Sequence, residues 1–125
     1  MTDMTQFGYV RVAACAPAVA LAEPAENARR IATHYRQLAA EGASVVLFPE
    51  LSITGYSCED LFLSAPLQTA ARDALATLVR ATAGVEAVLV VGIPWLSPDG
   101  RLFNCACVVA GGGHPTDIHR RPESG

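Results

Sequence analysis

Lysine is missing from this chain, whose nine basic side chains are all arginine. A mechanism that needs a lysine side chain therefore cannot run on these 125 residues alone. Charge of either sign is scarce, since 17% of the residues are charged and 51% are hydrophobic. With so little polar surface to cover itself, the chain is expected to contact a partner surface, either further sequence or another subunit.

Two further absences exclude classes of partner. The net charge is −3 and the arginines are scattered, whereas a nucleic-acid-binding protein needs a clustered basic face. The apolar runs, such as those at residues 87–91 and 105–110, are far shorter than the about 20 residues of a membrane-spanning helix. The first residues lack the charged region and apolar core of a signal peptide, so we expect a cytoplasmic location.

The four cysteines show no C-x-x-C pair or other metal spacing, and we expect no metal site. They are Cys15, Cys58, Cys105 and Cys107. Cys105 and Cys107 alternate along an apparent strand, so both side chains should point to one face with Ala106 opposite. The pattern is typical of small buried hydrophobic residues in a reducing compartment.

Hydrophobic periodicity predicts an α/β domain with the element order β-α-β-α-β-β. The predicted elements are a strand at 9–14, a helix from Pro24 to Gly42, a strand ending at Phe48, a helix from Ser64 to Gly84, and strands at 88–93 and 102–110. Right-handed crossovers place both helices on one side of a sheet that is parallel at first. The last two strands should form a hairpin, because only a short polar turn separates them.

The character of the sequence changes at Gly111. Residues 111–125 are polar, interrupted by prolines and without periodicity. We therefore predict a domain over residues 1–110 and a non-matching, unstructured tail over 111–125.

Glu50 is the most informative residue, because it follows an apolar strand and Pro49 directly. The carboxyl ends of strands are where α/β folds place catalytic groups. Partial desolvation there would raise the pKa of Glu50 toward a value useful for a general base. Alternatively, its carboxylate organises the loop by accepting hydrogen bonds from the amides of residues 52–55. The spacing alone leaves both interpretations open.

A resemblance to a known family favours the first interpretation. The run from Phe48 to Leu61, the opening at 8–15, and the segments 90–94 and 101–104 resemble the N-terminal part of the nitrilase, or carbon-nitrogen hydrolase, superfamily. Gly55-Tyr56 followed by residues 59–61 is most similar to the glutaminase domains of glutamine-dependent NAD+ synthetases. The likeness covers roughly residues 8 to 110.

The resemblance implies part of an α-β-β-α sandwich and a Glu-Lys-Cys catalytic set. Glu50 matches the family's general base, and Tyr56 matches a tyrosine that lines the glutamine pocket. The family's lysine is expected after Ala110 and its nucleophilic cysteine farther on, and neither is found in this chain. The residues that follow Cys58 are similar to those that follow that nucleophile. Cys58 lies in the same loop as Glu50, however, so we interpret this similarity as a coincidence.

The expected function is therefore that of a fragment of a glutamine amidohydrolase domain, which supplies ammonia for NAD+ synthesis and is inactive alone. The chain itself is expected to hold no cofactor. The resemblance implies ATP and magnesium only in a separate synthetase domain, and implies a homo-oligomer for the full-length protein. Two alternatives stay open at this point: a fragment of another nitrilase-family amidase, and a non-enzymatic interaction module.

Overall fold

The computed structural model describes residues 8, 10–20, 23–49, 52–54, 64–111 and 116–122. Within these residues five strands form one sheet and two helices connect the first three strands. The strands are β1 (Val12–Ala14), β2 (Val45–Leu47), β3 (Val88–Leu96), β4 (Leu102–Val109) and β5 (Thr116–Pro122), and the helices are α1 (Pro24–Ala40) and α2 (Ala65–Ala81). The strands lie side by side in chain order, β1 to β3 parallel and β3 to β5 antiparallel. The predicted fold class is confirmed, with one strand more than expected.

Local chemistry favours the start of both helices and the end of α1. Pro24 occupies the first turn of α1, where its missing N–H is not needed, and Gly42 follows the helix with a φ of 101°. The Ser64 side chain caps α2 by accepting a hydrogen bond from the Leu67 amide at 3.2 Å. Neither helix in the described part of the chain is long and apolar enough to cross a membrane.

The hydrophobic core lies between the two helices and one face of the sheet. Its main members are Ile31 and Tyr35 from α1, Ala71, Leu75 and Leu78 from α2, and Val46, Leu89, Val91 and Ile93 from the sheet. The opposite face of the sheet is apolar but uncovered by the described residues: Val12 is 54% exposed and Leu47 37%. This one-sided covering agrees with half of an α-β-β-α sandwich.

Tyr35 links α1 to the sheet through a buried hydrogen bond. Its ring is fully buried and its hydroxyl donates a hydrogen bond to the Ala87 carbonyl, one residue before β3, at 2.6 Å. Burial raises the pKa of the Tyr35 hydroxyl, so this group remains a protonated donor at neutral pH.

Removing this hydroxyl by Tyr35→Phe is expected to lower the free energy of unfolding by about 1–3 kcal/mol, because the buried Ala87 carbonyl loses its donor. Urea unfolding followed by circular dichroism measures the change. Thr33→Ala is the control, because it removes an exposed hydroxyl that donates to the Arg29 carbonyl. A loss for Tyr35→Phe no larger than that of the control would contradict this role.

The predicted hairpin between β3 and β4 is confirmed, although β3 does not end at Pro94. Pro94 lies within β3, opposite Asn104 of β4. β2 ends at Leu47, which pairs with Val90, so β3 has no β2 partner at Pro94 and loses no ladder hydrogen bond on that side. Gly100, with a φ of 86°, closes the turn of the hairpin.

The prediction of an unstructured tail is wrong for residues 116–122. These residues form β5, which pairs antiparallel with β4 and shifts register between Ala106 and Cys107. β5 lies at the edge of the sheet, where polar residues, a bulge and a terminal proline are all tolerated. A polar edge strand of this kind lacks the apolar alternation from which strands are recognised.

Candidate functional site

The carboxyl ends of β1 and β2 meet at one edge of the sheet, and the chain leaves this edge toward Glu50. The Cys15 amide donates to the Leu47 carbonyl at 2.9 Å, and the Phe48 amide donates to the Val90 carbonyl at 2.9 Å. Phe48 therefore continues the ladder one residue beyond β2. In open α/β sheets this edge borders the crevice in which ligands bind.

The residues that follow Glu50 form hydrogen bonds with β3, the strand that Phe48 also contacts. The Ser52 amide donates to the Pro49 carbonyl at 3.1 Å, and the Ser52 hydroxyl oxygen accepts from the Gly92 amide at 3.1 Å. The Ile53 amide donates to the Gly92 carbonyl at 3.2 Å. Ser52 and Ile53 are both buried. The chain is thus fixed to β3 both before and after Glu50.

Glu50, Tyr56 and Cys58 lie outside the residues that the structure describes. Their expected roles as general base, pocket residue and coincidental cysteine remain predictions. The bonds of their neighbours nevertheless bear on the alternative role for Glu50. Of the amides of residues 52–55 that could organise its carboxylate, those of Ser52 and Ile53 already donate to backbone carbonyls. That alternative therefore loses two of its four donors.

Asn27 is a site residue that sequence reasoning missed. It lies in the first turn of α1, is 2% exposed, and its amide group donates to the Ile53 carbonyl at 2.8 Å. The same side chain donates to the Ala20 carbonyl and accepts from the Ala20 amide, both at 2.7 Å. Asn27 thereby joins the loop after β1 to the loop that contains Glu50. The sequence signal for it is an asparagine four residues before Ile31, in line with the apolar stripe of the helix.

The three cysteines of the described residues are buried or half-buried. Cys15 is half-buried at the end of β1, and burial raises the pKa of its thiol, which disfavours the reactive thiolate. Cys105 and Cys107 are buried on the helix side of β4, as predicted, with Ala106 on the other face. In the described part of the chain, no three His, Cys, Asp or Glu side chains come together as a possible metal site.

A cavity of about 620 Å³ lies at the opposite edge of the sheet. It is lined by the C-terminal part of α1, residues 42–44 and residues 84–87, and most of these residues have small side chains. Arg36 and Glu86 are its charged lining residues. Since the amino ends of β2 and β3 lie here, the cavity is separate from the carboxyl ends of β1 and β2.

The comparison with known families supports the resemblance found in the sequence. The model of the family described as carbon-nitrogen hydrolase matches residues 11–123, nearly the whole chain. The chain belongs to the carbon-nitrogen hydrolase family. The match includes β5, so the carbon-nitrogen hydrolase pattern continues past residue 110.

Curated and structural relatives of this carbon-nitrogen hydrolase chain are much longer than it is. The glutamine-dependent NAD(+) synthetase of Mycobacterium tuberculosis (strain ATCC 25618 / H37Rv) is 42% identical over 104 residues, which are 83% of this chain and 15% of that protein. The structure of the glutamine-dependent NAD+ synthetase from Acinetobacter baumannii superposes with a TM-score of 0.77 and 28% identity, over 91% of this chain and 22% of the other. The chain thus spans about 15% of the length of the curated relatives it matches.

A shorter structural relative shows the fold alone. The amidase from Nesterenkonia sp. has a TM-score of 0.67 and 22% identity, and the match covers 86% of this chain and 40% of the amidase. The same α/β arrangement therefore occurs both in a protein named as a synthetase and in a protein named as an amidase.

Proposed function

We propose that this chain is the N-terminal part of a glutamine-hydrolysing domain that supplies ammonia for the ATP-dependent amidation of nicotinic acid adenine dinucleotide to NAD+. The observation that carries the proposal is the 42% identity, over 83% of the chain, to a protein named glutamine-dependent NAD(+) synthetase. ATP and magnesium would act in a separate synthetase domain, and the chain itself would bind no cofactor.

In the proposed reaction Glu50 is the general base. It accepts the proton of a cysteine thiol, whose sulfur attacks the side-chain amide carbon of glutamine. The carbon-nitrogen bond breaks, the leaving nitrogen takes up a proton and departs as ammonia, and a thioester remains. Water then cleaves the thioester, which releases glutamate and restores the thiol. Tyr56 would line the glutamine pocket.

We further propose that the 125 residues do not hydrolyse glutamine by themselves. The family's catalytic set includes a lysine, which stabilises the charged intermediate, and this chain contains none. The chain would therefore supply the base and part of the pocket, while the other catalytic groups come from sequence outside it. Purified chain is expected to release no ammonia from glutamine above the rate of buffer.

A hybrid enzyme tests the proposal directly. In the synthetase of Mycobacterium tuberculosis, the 104-residue segment that matches this chain is replaced by the matching residues of this chain. We expect the hybrid enzyme to form NAD+ with glutamine as the nitrogen source. Formation of NAD+ with added ammonium salt is the control, because it requires only the synthetase domain.

The pattern of the two activities decides the outcome. A hybrid enzyme that uses ammonium but neither glutamine nor a simple aliphatic amide would contradict a role in amide hydrolysis. Hydrolysis of the aliphatic amide without hydrolysis of glutamine would favour the alternative amidase instead.

A further inference from the structure

The loop that contains Glu50 is attached to two different elements, and the attachments are made by buried polar side chains. Ser52 accepts from the Gly92 amide of β3 at 3.1 Å, while Asn27 of α1 donates to the Ile53 carbonyl at 2.8 Å. Asn27 also makes two bonds of 2.7 Å to Ala20. It thus uses three of the four hydrogen bonds that an asparagine side chain can make.

The bonds to the Ile53 carbonyl and the Gly92 amide cost free energy if they are broken, because each of these buried partners would be left without a donor or acceptor. Backbone bonds from Phe48 to Val90 and from Ile53 to Gly92 already join this segment to β3. The additional side-chain bonds fix the loop against the helix layer as well. A catalytic carboxylate gains from such support, because proton transfer depends on the position of the base within fractions of an ångström.

We propose that Asn27 and Ser52 are positioning residues, which hold the carboxyl group of Glu50 in place by fixing the peptide that follows it to α1 and to β3. The inference rests on the proposed function of Glu50 as the general base. Neither residue touches the substrate in this proposal. Asn27 acts through the Ile53 carbonyl, and Ser52 acts through the Gly92 amide.

The test follows the Glu50 carboxyl group itself in the 125-residue chain. The chain is labelled with ¹³C, the Glu50 carboxyl signal is assigned by its loss in Glu50→Gln, and the titration is recorded from pH 3 to 8. In the unchanged chain we expect a Glu50 pKa above the ordinary value of about 4.3. In Asn27→Ala and in Ser52→Ala we expect it to shift toward that value by about half a pH unit or more, because water reaches the released loop.

Thr82→Ala is the matched control, because Thr82 is also buried and its hydroxyl donates to the Val79 carbonyl at 2.7 Å, at the opposite edge of the sheet. This control is expected to leave the Glu50 titration unchanged while it lowers stability. A titration unchanged in both loop variants, or shifted equally in Thr82→Ala, would overturn the proposal. Should Asn27→Ala leave the chain unfolded, Asn27→Ser, which keeps a short donor, takes its place.

The result is independent of the test of function. If Asn27→Ala shifts the Glu50 pKa while the hybrid enzyme forms no NAD+ from glutamine, the positioning role is supported and the proposed reaction is contradicted. If the hybrid enzyme uses glutamine but neither loop variant shifts the Glu50 pKa, the proposed reaction is supported and the positioning role is contradicted.

Discussion

Glu50→Gln in the hybrid enzyme is expected to lower the rate of glutamine-dependent NAD+ formation by at least about 100-fold, the low end of what a general base contributes. The amide side chain introduced at residue 50 has nearly the same shape as the carboxylate it replaces, but it cannot accept the thiol proton. The ammonium-dependent rate should be unchanged, because that reaction needs no base at this position. Steady-state assays with each nitrogen source measure both rates.

Glu86→Gln is the matched control for this exchange. Glu86 is an exposed glutamate at the opposite edge of the sheet, so its loss should leave both rates as they were. Glu50→Asp is expected to fall between the two, since it keeps the carboxylate but withdraws it by one methylene. Equal glutamine-dependent rates for Glu50→Gln and Glu86→Gln would rule out the assignment of Glu50 as the base.

Leu78→Ala is expected to lower the free energy of unfolding of the chain by about 2–5 kcal/mol. Leu78 is 0% exposed in the middle of the core, between α2 and the sheet. Its truncation removes apolar contacts and leaves a cavity that the surrounding helices and strands cannot fully close. Equilibrium urea unfolding at 25 °C, with the slope held common to both proteins, gives the difference.

The control for Leu78 is the same exchange on the uncovered face of the sheet. Leu47→Ala removes an equal volume from a side chain that is 37% exposed and is covered by neither α1 nor α2. We expect a loss of less than about 1 kcal/mol. Comparable losses at the two positions would show that the helix-covered face is not the principal core of the chain.

The helices and the first four strands were predictable because their signals are local. A serine before an apolar stripe predicted the start of α2, and the observed cap between Ser64 and Leu67 spans three residues. β5 was missed for the opposite reason. Its pairing partner is β4, and no feature within residues 116–122 reports that a neighbouring strand has an open edge.

The candidate site, too, was predictable from the sequence only where its signals are local. The position of Glu50 after a strand was visible in the sequence, because a run of apolar residues followed by a proline marks a strand end. The supporting contacts were not visible, since Asn27 and Ile53 are 26 residues apart and Ser52 and Gly92 are 40 residues apart. Such pairs become neighbours only when the parallel strands have aligned, so periodicity and propensity carry no information about them.

Val12 and Leu47 lie on the face of the sheet away from both helices. In an α-β-β-α sandwich a second sheet lies against this face, so these side chains are fully buried only when both sheets are present. A mutational scan scored by the melting temperature of the isolated 125 residues would accept polar substitutions there that a longer homologue would reject. Libraries directed at this face should therefore be selected in the longer protein.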